Sequence, residues 1–303
     1  SFRLAMRAIL VAGLVACLFA ASPALAVKVT NVTTSNVVFY DDFETLQSVS
    51  SAKFTTYASL NHDLDADPDN GAYPGYWSVY EPDVVDIGDR QGNIQVIDID
   101  DATVGDPGRI QGQNYLRIGC QSTGGDYDPI TKAVLASSVA MGDTLRVELL
   151  FACYAPSSLN GGVYLVGTTD GGEGDEVLTS LNFTHTATPE VRNRDGSGTS
   201  AIPGMTYDRG GTGTANPWTA NWNSLTIDYT VGESEYTVTV NDVTATVGIR
   251  NQGDVVSVDA VRFQGHRQGS VLYLDAAVPI PEPSTFALLS LGGLCLMWRR
   301  RHG

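Results

Sequence analysis

The feature that most constrains the fold is a series of short runs of alternating or β-branched residues, separated by Gly, Asp, Asn and Pro. Such runs form strands because successive side chains of a strand point to opposite faces of a sheet. They occupy residues 94–99, 115–118, 145–151, 163–166, 225–229, 236–240, 243–247, 255–263 and 271–274. No long amphipathic pattern lies between the chain ends, so the sequence predicts an all-β fold, an antiparallel β-sandwich.

The clearest pair of strands lies in residues 235–247. In its first half, apolar side chains alternate with threonines, so that Tyr236, Val238 and Val240 share one face. Asn241-Asp242 then provides a two-residue turn that tolerates positive φ. This segment is therefore predicted to form a β-hairpin.

The body of the chain is strongly acidic. Between residues 27 and 281 it has 13 Lys and Arg against 33 Asp and Glu, a net charge of −20. A surface of this charge repels nucleic-acid phosphates and anionic lipids. We therefore expect no nucleic-acid partner, and the charge suits a secreted protein or one that collects divalent cations.

The first 26 residues have the three parts of a secretory signal peptide. Arg3 and Arg7 give a basic start, residues 8–21 form an apolar run, and Ala24-Leu25-Ala26 is a small-residue cleavage site. We expect a signal helix that is removed after Ala26, which leaves Val27 as the first mature residue. The chain is then exported.

An alternative processing site lies inside the same apolar run. Leu14-Val15-Ala16-Cys17 resembles a lipobox, in which Cys17 is lipidated. Because the run continues beyond Cys17 to the site at Ala26, the ordinary signal peptide is favoured.

The last 26 residues, 278–303, combine three features in order. Pro281-Glu282-Pro283 is followed by an apolar run at 286–298 and then by Arg299-Arg300-Arg301. The run is shorter than the roughly 20 residues of an ordinary membrane-spanning helix, and the arginines favour the cytoplasmic side. We expect a transmembrane helix that holds the protein in the inner membrane only transiently. A plain single-pass anchor is the alternative.

These residues resemble the PEP-CTERM sorting domain, over residues 278–301. The resemblance implies an exosortase, a membrane enzyme that cuts near the Pro281-Glu282-Pro283 signal. It also implies a final location at the cell surface or in the extracellular matrix, in association with exopolysaccharide. The predicted organisation is a signal peptide (1–26), a β-sandwich (27–277) and a sorting tail (278–303).

The body also resembles the jelly roll of laminin-G and concanavalin-like domains. The resemblance is carried by an opening strand, an early core strand, a strand with a short hairpin that follows Trp222, and a closing strand. These segments are residues 39–44, 112–117, 222–247 and 271–275. The resemblance implies the architecture and leaves the ligand open.

Two cysteines lie in the body, Cys120 and Cys153, each at or just beyond the end of a predicted strand. In an oxidising exported setting they form a disulfide if their Cα atoms lie within bonding distance. The alternative is a pair of buried thiols.

The best metal candidate is an acidic loop that contains Asp65, Asp67 and Asp69. Alternate carboxylates on an extended loop can converge on Ca²⁺, which takes many oxygen ligands. Pro68 interrupts the pattern, and the alternative is a solvated acidic turn. A weaker second acidic group comprises Asp170, Glu173, Asp175 and Glu176.

Catalytic motifs are missing from the body. It contains neither a Gly-x-Ser-x-Gly elbow nor a His-Glu-x-x-His zinc site, and its only histidines are His62, His185 and His266. No strand carries the alternating carboxylates of a jelly-roll glycosidase. We therefore expect a protein that is not an enzyme, and a glycan-active enzyme is the weaker alternative.

Carbohydrate binding is the sharper alternative function. Sugars stack on exposed aromatic rings, and Tyr73, Tyr76 and Trp77 adjoin the acidic loop, while Trp218 and Trp222 lie in an Asn- and Thr-rich stretch. The competing interpretation is that these rings fill the core of the sandwich or its rim.

Overall fold

The computed structural model describes residues 27–41, 43, 74–80, 94–98, 114–119, 130–154, 159–172, 174–184, 186–192, 198–208, 221–250, 254–265 and 271–275. These residues contain seventeen strands and no helix. They all belong to one compact unit within residues 25–277. The signal peptide and the sorting tail lie outside the described residues, so their boundaries stay predictions.

The strands are short to medium in length. They are β1 (Val27–Asn31), β2 (Asn36–Asp41), β3 (Tyr76–Tyr80), β4 (Ile94–Asp98), β5 (Asn114–Gly119), β6 (Ile130–Ala140), β7 (Thr144–Tyr154), β8 (Leu159–Thr169), β9 (Glu176–Val177), β10 (Leu181–Thr184), β11 (Glu190–Arg192), β12 (Thr199–Ala201), β13 (Asn223–Thr230), β14 (Glu235–Val240), β15 (Val243–Gly248), β16 (Val255–Gly265) and β17 (Val271–Asp275).

The strands form two antiparallel sheets. Sheet A has the order β15-β14-β13-β7-β17-β5-β4. Strand β1, which forms a hairpin with β2, pairs with the first half of β7, and β17 pairs with the second half along the same edge. Sheet B has the order β12-β11-β10-β8-β16-β6-β3, with β9 added to β8. Consecutive long strands alternate between the sheets, since β6 and β8 lie in sheet B while β7 lies in sheet A. The protein is an all-β jelly-roll sandwich, which confirms the predicted fold class.

Alternation along the strands builds the core between the sheets. On β13, Leu225, Ile227 and Tyr229 are buried and their neighbours are partly exposed. Across the core, Phe151 of sheet A stacks on Phe183 of sheet B, with ring centroids 4.1 Å apart. Each large apolar side chain that is fully buried contributes about 1.5–3 kcal/mol to stability.

The predicted hairpin is present. Val240 pairs with Val243, so the turn contains only Asn241 and Asp242, and Asn241 has a φ of 50°. The Asn241 side chain stabilises this conformation because its Oδ1 accepts a hydrogen bond from the backbone N–H of Ser224 (3.1 Å). The apolar face of β14 points into the core, as its alternation predicts.

Trp77 connects edge strands of the two sheets. This side chain of β3 lies in sheet B, and its indole N–H donates a 2.5 Å hydrogen bond to Oδ2 of Asp41 on β2 in sheet A. Its ring packs against Phe39, Phe43 and Phe263, with centroid distances of 5.1–5.9 Å. Because both partners of the hydrogen bond are buried, loss of the donor leaves a carboxylate oxygen poorly solvated.

We expect Trp77→Phe to lower the free energy of unfolding by about 2–4 kcal/mol, through the lost donor and the smaller ring. Urea unfolding followed by far-UV circular dichroism measures this loss. Val243→Thr changes an exposed residue beside the hairpin turn and should shift stability by no more than about 0.5 kcal/mol. Equal unfolding midpoints for Trp77→Phe and the parent protein would show that the connection adds no stability.

Candidate ligand-binding pocket

The outer face of sheet B presents polar side chains at the positions between core residues. On β8, Val163 and Leu165 are buried in the core, and Tyr164 between them points outward. Arg262 has the same relation to Val261 and Phe263 on β16. The pleat of the strands therefore assigns these side chains to the outer surface.

A pocket of about 490 Å³ lies on this face. Its volume falls within the range of about 300–1,000 Å³ that is typical of ligand sites. Most of the described lining side chains are polar or aromatic, and none of these described residues is Asp or Glu. The polar and aromatic members are Tyr164, Ser180, Asn182, Arg192, Thr199, Arg250, Arg262 and Gln264.

The ring of Tyr164 lies over Gly162 on the floor of the pocket. A Cβ atom at Gly162 would lie 2.4 Å from the phenol oxygen of Tyr164, so only glycine leaves room for the ring in this position. The Tyr164 hydroxyl donates to Oδ1 of Asn182 (2.7 Å), and Nδ2 of Asn182 donates to Oγ of Ser180 (3.2 Å). These hydrogen bonds hold the ring and fix the amide.

Three arginines from different elements meet at the pocket. Arg262 lies over the ring of Tyr164, 5.3 Å from its centroid, in a cation–π contact, and its Nη2 donates to Oε1 of Gln264 (2.6 Å). Arg192 ends β11, and the backbone N–H of Arg250, just after β15, donates to the carbonyl of Leu178 (3.0 Å). The sheet order brings together residues that are far apart in the sequence.

The charges of these arginines are not neutralised within the described ranges, where none of the three forms an ion pair with a carboxylate. Lys132, the cross-strand neighbour of Arg262 on β6, differs because it donates to Oδ1 of Asp175 (2.6 Å). The pocket is therefore a locally cationic site on a domain with a net charge of −20.

Electrostatic repulsion acts among the arginines. Burial lowers the pKa of Arg250, and the nearby positive charges of Arg192 and Arg262 lower it further, while Tyr164 acts in the opposite direction. Arginine nonetheless stays protonated in proteins. The repulsion is therefore present in the free protein, and an anion bound between the guanidinium groups relieves it.

Of the aromatic side chains that sequence reasoning proposed for sugar stacking, the structure describes Trp77 and Trp222, and neither lines the pocket. Trp77 is only 3% exposed, so it is a core residue and offers no face to a ligand. Trp222 is partly buried against Tyr115 of sheet A, with ring centroids 6.1 Å apart. Tyr73 and Trp218 lie outside the described residues, as does the side chain of Tyr76. For Trp77 the core interpretation is the one that holds.

The calcium prediction stays untested, because Asp65, Asp67 and Asp69 lie outside the described residues. In the described part of the second acidic group, Asp175 is paired with Lys132 and Asp170 is exposed. The residues that the structure describes contain no group of three His, Cys, Asp or Glu side chains able to hold a metal ion.

The disulfide also stays a prediction. Cys153 is a fully buried thiol, and burial raises its pKa well above the usual value. Cys120 lies outside the described residues. β17 lies between β5, which ends at Gly119, and the Cys153 end of β7, so these two strands are not neighbours in sheet A.

Sequence reasoning missed the pocket. Arg192 precedes Arg250 by 58 positions and Arg250 precedes Arg262 by 12, and no short motif contains two of them. The only local signal is the pattern of polar residues between core residues in β16, where Arg262 and Gln264 flank Phe263. That pattern identifies an outward face and gives no indication that other cations meet there.

Comparison with known proteins gives one sequence match. A family model for the PEP-CTERM protein-sorting motif matches residues 279–301, and the search of curated proteins found no significant match. The chain therefore carries a PEP-CTERM sorting motif, which indicates an exported protein that an exosortase sorts to the cell surface. Among the described residues, no helix is long and apolar enough to cross a membrane.

Several solved structures resemble part of the sandwich. The chain is 11% identical to a carbohydrate esterase from the Shiga toxin-encoding bacteriophage phi24B, with 66% of this chain and 87% of the esterase covered and a TM-score of 0.39. It is 15% identical to a legume lectin-like domain from Entamoeba histolytica, with 55% and 83% covered and a TM-score of 0.33. It is 12% identical to the potassium-bound carbohydrate recognition domain of Emp46p, with 65% of this chain and 84% of that domain covered and a TM-score of 0.30. These TM-scores are low, so the fold assignment depends on the strand order itself.

We expect Gly162→Ala to displace the Tyr164 ring and to lower the free energy of unfolding by about 1–3 kcal/mol, because the added methyl group overlaps the phenol. A crystal structure of the variant and its urea midpoint measure the two effects. Gly248→Ala is the matched control, since the nearest atom to its added Cβ is 4.0 Å away. A parent-like Tyr164 conformation in Gly162→Ala would contradict this description of the pocket floor.

Proposed function

We propose that the protein is a non-catalytic component of the cell surface or extracellular matrix, processed by an exosortase and associated with exopolysaccharide. The observation that carries this proposal is the PEP-CTERM match over residues 279–301, which contains Pro281-Glu282-Pro283. Prolines on both sides of Glu282 disfavour helix and favour an extended segment, which is the form that a processing enzyme binds.

The positions of the terminal strands support processing at both ends. β1 begins at Val27, the residue after the proposed signal cleavage site, and Val27 is fully buried in the core. β17 ends at Asp275, before the Pro281-Glu282-Pro283 tripeptide. Removal of the signal peptide and of the tail therefore leaves every described strand in the mature protein.

The tail is proposed to be a processing signal that holds the chain in the inner membrane only until it is cut. In a host with an exosortase, intact-mass measurement should show that mature surface protein lacks the residues after the tripeptide. Changing all three residues to alanine should leave full-length protein in the inner membrane, and Asp242→Ala, at the exposed hairpin turn outside the matched motif, should be processed normally. Mature surface protein that retains Trp298 and the following arginines would identify a plain anchor.

Glycan binding is the second candidate function, and the pocket on sheet B favours it. Hydroxyl and amide groups of Ser180, Asn182, Thr199 and Gln264 line the pocket and match the donors and acceptors of sugar hydroxyls. Among the described lining residues none carries a carboxylate, and the one carboxylate that a lining side chain is shown to contact, Glu190, accepts a hydrogen bond from the hydroxyl of Thr199 (2.7 Å). The described lining therefore lacks the acid pair of a glycosidase. A glycan array probed with the purified protein, with and without Ca²⁺, tests this function.

Glycan binding assisted by Ca²⁺ depends on Asp65, Asp67 and Asp69. An ion that binds only the folded state stabilises it by mass action, so millimolar Ca²⁺ should raise the melting temperature. Asp67→Ala should abolish the increase, and Asp242→Ala, at the exposed hairpin turn, should retain it. An unchanged melting temperature in the parent protein would leave the solvated acidic turn as the explanation.

A further inference from the structure

The pocket concentrates positive charge in a domain that is otherwise acidic. Of the 13 Lys and Arg between residues 27 and 281, Arg192, Arg250 and Arg262 line this pocket. Within the described part of the chain, none of these guanidinium groups has a carboxylate partner, although ion pairs form elsewhere, as between Arg146 and Asp228. Structural ion pairing therefore does not account for this group of arginines.

The geometry of the arginines favours an anion as ligand. Arg262 is held from one side by the ring of Tyr164 and from another by Gln264, and its Nε is buried without a hydrogen-bond partner. Such a group is positioned in advance, so little conformational entropy is lost when an anion binds. A planar guanidinium also matches the two oxygens of a carboxylate.

The rest of the lining and the total charge narrow the class of anion. The neutral hydrogen-bonding groups beside the arginines suit a saccharide more than a bare ion. A net charge of −20 repels a densely charged polyanion, whether nucleic acid or a highly charged polysaccharide. A saccharide in which neutral sugars separate the acidic ones experiences less of this repulsion and still supplies one carboxylate to the pocket.

We propose that the pocket binds an acidic saccharide, with the carboxylate of one uronic acid residue between Arg192, Arg250 and Arg262 and the neighbouring sugar hydroxyls on Asn182, Thr199 and Gln264. This inference depends on the proposed glycan-binding function and names the ligand class for it. It assigns specificity to charge recognition in the pocket and assigns no role to the buried Trp77.

The test compares two forms of one oligosaccharide in which glucuronic acid alternates with a neutral sugar. One form retains its carboxylates, and in the other they are chemically reduced to primary alcohols. Calorimetric titration of the purified protein should show binding of the acidic form at least tenfold tighter than that of the reduced form, the effect of one charged hydrogen bond of about 1.5 kcal/mol. Salt at about 0.5 M should weaken only the acidic form, because the arginines are partly exposed to solvent.

Three variants identify the residues responsible. Arg192→Gln and Arg250→Gln each remove one charge from the pocket and should weaken binding of the acidic form about tenfold or more, with little change for the reduced form. Arg146→Gln is the matched control: it removes the same charge from β7 of sheet A and should bind like the parent. Melting temperatures of all variants show that each is folded.

The outcomes separate this inference from the function on which it depends. Equal binding of the acidic and reduced forms, or equal weakening by Arg146→Gln, would overturn the carboxylate assignment and leave glycan binding intact. Tighter binding of a sulfate-bearing oligosaccharide than of the carboxylate form would also overturn it. Failure of every glycan on the array to bind would overturn both.

Discussion

The pleat of sheet B is the constraint on which both the core and the pocket depend. Along residues 163–165 of β8 and 261–264 of β16, core residues alternate with residues on the outer surface, so that Val163 and Phe263 are buried while Tyr164 and Arg262 line the pocket. A shift of one residue in register would exchange the two sets, bury arginines among phenylalanines and expose the core. The stability of the core therefore also fixes the geometry of the pocket.

The sequence predicts strands where β-branched and aromatic residues alternate, and it fails where tertiary pairing decides. The β14–β15 hairpin lies where the pattern puts it. The pattern does not predict β6, which is rich in Ala and Ser, residues without strong β-propensity, and which is extended because it pairs with β16 and β3. Strands of two to four residues, such as β9 and β10, are too short for any periodicity to be recognised.

The start of β8 shows how a local signal is overridden. Gly161-Gly162 ordinarily indicates a turn, so the predicted strand begins at Val163, but the observed strand begins at Leu159 and passes through both glycines. Position 162 is extended because it pairs with β10 and β16, and it is glycine because the ring of Tyr164 occupies the space that a Cβ atom would take. The same glycine that obscures the strand in the sequence is thus required for the pocket floor, a link that only the folded structure reveals.

The candidate site carries positive charge, whereas the composition of the domain is strongly negative. The charge of −20 favours cations as ligands, and the calcium site at the acidic loop with Asp65 remains a prediction.

The sheet order, however, brings three arginines to one face, and a local potential depends on the nearest charges more than on the total. Close to the pocket the three arginines outnumber Glu190, whose Oε2 accepts a hydrogen bond from the hydroxyl of Thr199 (2.7 Å), whereas at longer range the acidic surface prevails. The two ranges act on different properties of a ligand: the pocket selects for an acidic group, and the surrounding surface selects against a high density of such groups. A matrix polysaccharide with isolated acidic sugars meets both conditions, whereas nucleic acid meets only the first.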